Sequence, residues 1–365
     1  MMPQTLFRYV LLKSARSVMI AFLVVTSIIM LVDFVEANRD LGADVDASAF
    51  QLLTLTALKT PSLIEQTIPF VVLFGMMGAI NGMNRRSELI VMRASGQSAW
   101  SIIRPCIWLA GLLGIGWAVL FNPAASRMYD QFEVQSAEWL GDGPRTFEGV
   151  VWLREGRGDQ QIVIRAENVD LATRTLTDAT FLLLDVEPDG KTRFSRRFDA
   201  ASAQLITQGY WQLVDVIENA PGEQMQKLEA ISLPTSIDNQ ELAEQADGNS
   251  SAGFWSMPET IRDNEAAGFS ARELRMRFNR LLALPVMLIA MTFIAAGVSM
   301  NLTREGGTLR LLITGAALGF GVFFADSTVG AFGEVAILPV YMAAWSVPLI
   351  VLMLGVSYLA KIEDG

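Results

Sequence analysis

Six long, largely apolar runs constrain this chain more than anything else in it: 18–32, 63–83, 99–121, 281–300, 309–325 and 335–359. About 20 apolar residues wound as a helix rise far enough to cross the roughly 30 Å hydrocarbon core of a bilayer. The runs therefore predict six membrane spans, the fifth of them short and bounded by Arg310 and Asp326. An apolar fraction of 52% and a mean hydropathy of +0.36 are too high for an ordinary soluble protein of 365 residues. The first run resembles a signal peptide, since Arg8, Lys13 and Arg16 precede it. It leads, however, into Asp33-Phe34-Val35-Glu36 and not into a small-residue cleavage site, so it is expected to remain as an uncleaved span.

Several function classes fall away on composition. A formal charge of −10 disfavours a nucleic-acid partner, because phosphate binding needs clustered Lys and Arg. The chain has no histidine and one cysteine, Cys106, which removes His-based acid–base catalysis, the Ser-His-Asp constellation, a disulfide framework and a Cys/His metal site. Asp185 and Glu187 could suggest glycosidase chemistry, but they lie on an alternating strand of an acidic region and read as solvated side chains. No G-x-x-x-x-G-K-[ST] loop occurs, so the chain is expected to bind no nucleotide cofactor of its own.

Basic residues on short loops mark the cytoplasmic side. Arg8, Lys13 and Arg16, then Arg85, Arg86, Arg93 and Arg104, then Arg304 and Arg310 fall on one side. Asp33, Glu36, Asp40, Asp44 and Asp46, with Asp326 and Glu334, fall on the other. Both termini are thus expected in the cytoplasm, together with the loop after the second span. That loop contains Arg85-Arg86-Ser87-Glu88-Leu89-Ile90-Val91-Met92-Arg93-Ala94-Ser95-Gly96. Its charges exclude it from lipid, while Leu89, Ile90 and Met92 give it an apolar edge, so it predicts a short amphipathic helix stopped at Gly96 and lying at the membrane face.

The ordered residues of this insert resemble the LptF/LptG permease family, the membrane subunits of the lipopolysaccharide-export ABC transporter, and the LptG branch more closely than the LptF branch. The resemblance extends over essentially the whole chain. It implies a non-catalytic permease subunit in the bacterial inner membrane that extracts lipopolysaccharide from the outer leaflet of that membrane. The implied partners are an LptF-like permease, an LptB-like ATPase dimer that holds ATP and Mg, and an LptC-like periplasmic protein. It further implies that the insert, at about 84–98, is a coupling helix seated in a groove of the ATPase. Arg85, Arg86, Ser87, Glu88, Leu89, Met92, Ala94, Ser95 and Gly96 would then be docking residues, with Glu88 paired to a basic group of the ATPase.

Between the third and fourth spans the pattern changes. Short alternating runs at 161–165, 175–187, 191–199, 204–207 and 210–218 are separated by Pro188-Asp189-Gly190 and Gln208-Gly209, which are turn sequences. An all-β sandwich is expected, and the resemblance makes it a periplasmic jellyroll-like domain that holds acyl chains. The expected organisation is therefore spans one to three over 1–122, the β domain over 123–270, and spans four to six over 271–365. A flexible tether at 239–253, a short helix at 258–265 and a capping box at Ser270-Ala271-Arg272-Glu273 complete the β domain and its exit.

Charges close to the spans are candidates for lining a substrate cavity, since such residues face a cavity or a partner: Asp33, Glu36, Arg39, Arg127, Arg275 and Arg277. The family commonly carries basic residues near the ends of spans one and three, where this chain has Asp33, Asp130 and Glu133. That departure leaves open whether phosphate contacts to the cargo are kept. For Arg272, Arg275, Arg277 and Arg280, snorkelling to headgroups is the competing account. Two other functions stay open on sequence alone, the LptF-type role in the same complex and a membrane-anchored assembly protein that transports nothing.

Overall fold

The computed structural model describes residues 3–40, 48–139, 146–157, 160–171, 173–186, 192–206, 209–221, 225–237, 242, 252–266, 271–301 and 308–364. Six of its helical stretches are long and apolar enough to cross a membrane. They are built from α1 (Gln4–Asp40), α2 (Ala49–Arg85), α4 (Ala99–Gly116) continued by a π-turn (Trp117–Phe121) and α5 (Asn122–Trp139), and, after the β domain, α7 (Arg272–Asn301), α8 (Thr308–Glu334) and α9 (Val340–Asp364). Two short helices join them, α3 (Glu88–Ala94) and α6 (Met257–Ala266).

Most helices outrun the apolar segments that announce them. α1 and α2 are 37 residues each, which at 1.5 Å per residue is roughly 55 Å, well beyond the hydrocarbon core. The third span does not stop at 121. Asn122-Pro123 reads as a stop, yet an interior proline is tolerated in a membrane helix, and the helix runs on unbroken through α5 to Trp139 before the first strand. Pro61, Pro69, Pro105, Pro285 and Pro348 all lie inside helices. Membrane helices accept this because neighbouring helices and local adjustments re-satisfy the freed carbonyls.

Burial sorts the bundle. In α7, 72% of the apolar window is covered by the rest of the chain, against 11% in α1 and 17% in α8, so α7 is the axis and α1 and α8 lie on the outside. Two glycines permit the closest crossings. A Cβ on Gly114 of α4 would stand 2.5 Å from Cα of Pro285 on α7, and one on Gly75 of α2 would stand 2.6 Å from Cα of Val18 on α1. Small residues at such crossings let backbones approach where no hydrophobic force drives helices together.

Between α5 and α6 six strands run in chain order as one antiparallel meander: β1 (Thr146–Arg157), β2 (Gln160–Asp170), β3 (Thr175–Val186), β4 (Thr192–Ile206), β5 (Tyr210–Asn219) and β6 (Gln226–Pro234). The expected all-β insert is present. Among the described residues its strands form a single sheet and lack the crossed connections of a jellyroll. Register aligns a buried row across four strands, Leu153 opposite Ile164, Ile164 opposite Phe181, and Phe181 opposite Phe198. The sheet covers this row by curling. Glu155 of β1, only 2% exposed, accepts hydrogen bonds from Thr235 Oγ1 (2.7 Å), Ser236 N (2.7 Å) and Ser236 Oγ (3.1 Å), just beyond β6. One carboxylate therefore clasps the two edges of the sheet at one end. Gly209 takes a left-handed φ of 77° in the β4–β5 turn, as the turn sequence implied.

The strand pattern differs from expectation in three places. β1 and β6 do not show in the sequence pattern, because Glu148, Arg154 and Glu155 in the first and Lys227 and Glu229 in the second break the alternation. The expected strands at 191–199 and 204–207 are one strand, β4, continuous through an Ala200-Ala201-Ser202-Ala203 centre of weak β-propensity. The expected short helix at 258–265 is α6. Most of the tether at 239–253, the 188–190 turn and Ser270 of the capping box lie outside the described residues.

Candidate functional site

The insert predicted at the membrane face is α3, held between α2 and α4. α2 ends at Arg85, Ser87 turns the chain with a left-handed φ of 59°, and seven residues of helix follow. Closure follows helix-stop chemistry. Ser95 N donates to Val91 O, Gly96 N to Arg93 O and Gln97 N to Met92 O, with Gly96 at a φ of 82° that a residue bearing a Cβ would resist. Ser98 then caps α4, its side chain accepting from Ser101 N at 3.1 Å.

α3 has two faces. Leu89 and Met92 are buried in the bundle's own core and anchor the helix to this chain. Ile90 and Val91 point away, 60% and 67% exposed, within the basic setting of Arg85, Arg86 and Arg93. The apolar edge free for a partner is therefore Ile90-Val91. Beneath the insert, the end of α9 closes the arrangement. Glu363 accepts from Ala99 N at 2.9 Å, at the start of α4, and lies 3.5 Å from Arg93.

Glu88 is engaged within the chain. Lys13 Nζ of α1 lies 2.5 Å from its Oε2, Tyr9 OH donates to the same oxygen at 2.9 Å, and Lys13 also donates to Tyr9 OH at 3.0 Å. Burial by itself would raise the carboxyl's pKa, but the hydrogen bonds from Lys13 and Tyr9 and the charges of Lys13 and Arg86 outweigh it and hold it below the usual value. The pair's contribution to stability is thus complete above the ordinary carboxylate range and is lost as pH falls through the depressed value.

The charges proposed for a cavity are scattered. Asp33, 7% exposed, is paired with Lys59 of α2 at 2.9 Å. Glu36 and Arg39 are exposed further along α1, and Arg127 is exposed on α5. Arg275 pairs with Glu265 of α6 at 2.6 Å, and Arg277 is half-buried on α7. Of the neighbouring arginines, Arg272 donates to the carbonyls of Gly333 (3.1 Å) and Leu338 (3.3 Å), and Arg280 reaches Glu334 at 3.4 Å. An apolar groove of about 520 Å³ opens between α1, α2 and α4, past Phe22, Val72, Leu113 and Trp117. Among the described residues no group of acidic or cysteine side chains is arranged to hold a metal ion.

Sequence reasoning missed a second junction. Asn122, buried at the start of α5, donates to Glu65 of α2 at 2.7 Å and accepts from Phe254 N at 2.8 Å. Trp255 Nε1 donates to Val119 O, within the π-turn, at 3.1 Å. Phe254 and Trp255, which lead into α6, are thereby fastened to the same ends of spans two and three. Nothing in local sequence pairs residues more than a hundred positions apart.

Six membrane-crossing helices divided three and three around an inserted antiparallel sheet define a polytopic membrane protein with a β domain. The family of lipopolysaccharide export system permeases, LptF/LptG, matches the chain over residues 8–361, and the chain belongs to it. Membership makes it an inner-membrane permease of lipopolysaccharide export, acting in a complex with other components of that system. No curated protein matches the chain significantly.

Proposed function

We propose that this chain is the LptG-type permease subunit, paired with an LptF-like subunit around a lateral cavity. In this reading it takes lipopolysaccharide from the outer leaflet of the inner membrane and passes it to an LptC-like periplasmic protein. The work comes from ATP hydrolysed, with Mg, on an LptB-like dimer. Both termini and α3 face the cytoplasm, and the β domain faces the periplasm, as the distribution of basic loops implies. Asp33, Glu36, Arg39, Arg127, Arg275 and Arg277 are the charges nearest the route of the cargo.

The observation that carries this reading is the exposed Ile90-Val91 edge of α3, set among basic side chains on a chain without a nucleotide-binding loop. An apolar edge ringed by charge is how a helix is recognised in a groove. Charge placed in such a buried patch costs several kcal/mol, so Ile90→Asp should abolish recovery of the ATPase with the purified chain while the chain still accumulates in the membrane. Undiminished recovery of the ATPase would refute docking through α3 and favour the assembly-protein alternative.

A further inference from the structure

Pro123 sets a problem in the third span that a distant part of the chain solves. In a regular helix residue 123 would donate its backbone N–H to Val119 O, but proline has no N–H and its ring crowds that carbonyl. The span answers by widening. Trp117–Phe121 wind as a π-turn, in which Asn122 N donates to Trp117 O. Val119 O is then met by Trp255 Nε1 at 3.1 Å, from 136 positions along the chain. Asn122, 1% exposed, uses both ends of its amide at the same junction, donating to Glu65 of α2 at 2.7 Å and accepting from Phe254 N at 2.8 Å. Apolar contacts complete it: the Phe254 ring stacks on Phe278 of α7 with centroids 5.4 Å apart, and Met257, fully buried, packs with Ala118 and Leu281. The segment 252–257 is thereby bound to spans two, three and four at the level where their apolar runs begin or end.

We propose that Asn122 and Trp255 are positioning residues for export: they bind the segment 252–257 to the bundle and hold the third span in its π-wound form. The consequence reaches the apolar groove. Trp117 and Phe121 of the π-turn stack with centroids 3.9 Å apart and line the groove together with Leu120. Phe22 of α1 meets Trp117 edge-on at 6.3 Å in the same lining. Closing the π-turn into a regular helix would turn everything on one side of it by about 100° relative to the other, and would take this aromatic wall apart. The proposal rests on membership of the export family and not on docking at α3, so the outcome of Ile90→Asp has no bearing on it.

Export of lipopolysaccharide from the inner membrane is measured in cells whose sole copy is the full chain, with accumulation of each variant followed alongside. Asn122→Asp sets a carboxylate against Glu65 and should lower export on the order of tenfold, the scale of a buried charge-assisted hydrogen bond exchanged for repulsion. Asn122→Asp combined with Glu65→Gln exchanges donor and acceptor, since the new amide donates to the new carboxylate, which still accepts from Phe254 N. Export should then return to within about twofold of native. Trp255→Phe keeps a ring, removes the indole donor and should lower export about threefold. Pro123→Ala separates positioning from mere bracing. It gives Val119 O a backbone donor and relieves the helix, so the detergent-solubilised chain should melt no lower than the native one, yet export should fall about threefold as the π-turn closes. If Asn122→Asp does not accumulate, Trp255→Phe and Pro123→Ala decide. The proposal is overturned if the double variant exports no better than Asn122→Asp, if Trp255→Phe or Pro123→Ala exports as the native chain does, or if Pro123→Ala loses export only in step with a lower melting temperature.

Discussion

A carboxylate withdrawn from water has to be answered by donors, and this chain does so at two carboxylates that hold larger pieces together. Glu88 is answered by Lys13 and Tyr9, and Glu155 by Thr235 and Ser236. Glu155→Ala would leave a buried hydroxyl and an amide without their acceptor, at a cost of about 1–3 kcal/mol. The expected outcome is faster amide hydrogen exchange at the end of β6 and in the Thr235–Ser236 segment, with exchange in β3 and β4 unchanged. Unchanged exchange at β6 would mean that the clasp does not hold the edges. These pairings were the least legible part of the sequence. Glu88 stood out through its motif and Lys13 through the basic tail, but nothing local relates them. The same limit hid the division of labour in α3, where Leu89, Ile90 and Met92 read alike until the bundle buried the outer two and left Ile90 exposed.

Elements were easier to read where a single physical force sets them. Apolar length fixed the number of spans, because nothing else crosses a bilayer so economically. It did not fix their ends, because polar turns of α1, α2 and α5 prolong each helix on contacts that hydropathy does not register. In the β domain, strands with one buried face were found from alternation, while charged β1 and β6, at the edges of the sheet, were not. Gly111, Gly114 and Gly116 stand close together in the third span, and spacing alone does not say which of them is tight. Gly114→Val should force α4 off Pro285 and destabilise the bundle by about 1–3 kcal/mol, the usual cost of overpacking. Gly116→Ala, two positions on and with nothing within 4 Å of the added carbon, should be nearly neutral. Thermal unfolding of the detergent-solubilised chain distinguishes them, and equal losses would contradict the assigned crossing.

For the whole molecule, the account is of two bodies of different chemistry on one chain. A helical bundle in lipid carries a curled sheet, with the Asn122–Trp255 junction fastening the lead-in to α6 onto spans two and three and α3 at the loop between those spans. Family membership settles that this is a lipopolysaccharide-export permease. The central proposition is that α3 and the β domain lie on opposite sides of the membrane, so that work enters at one end and lipid leaves at the other. The most direct measurement is thiol labelling with a membrane-impermeant reagent, using single cysteines in a Cys106→Ser background. Val91→Cys reports α3 and Met225→Cys reports the β domain, both at exposed positions. In intact spheroplasts Met225→Cys should be labelled and Val91→Cys should react only once the membrane is opened. Labelling of Val91→Cys in intact spheroplasts would contradict the account.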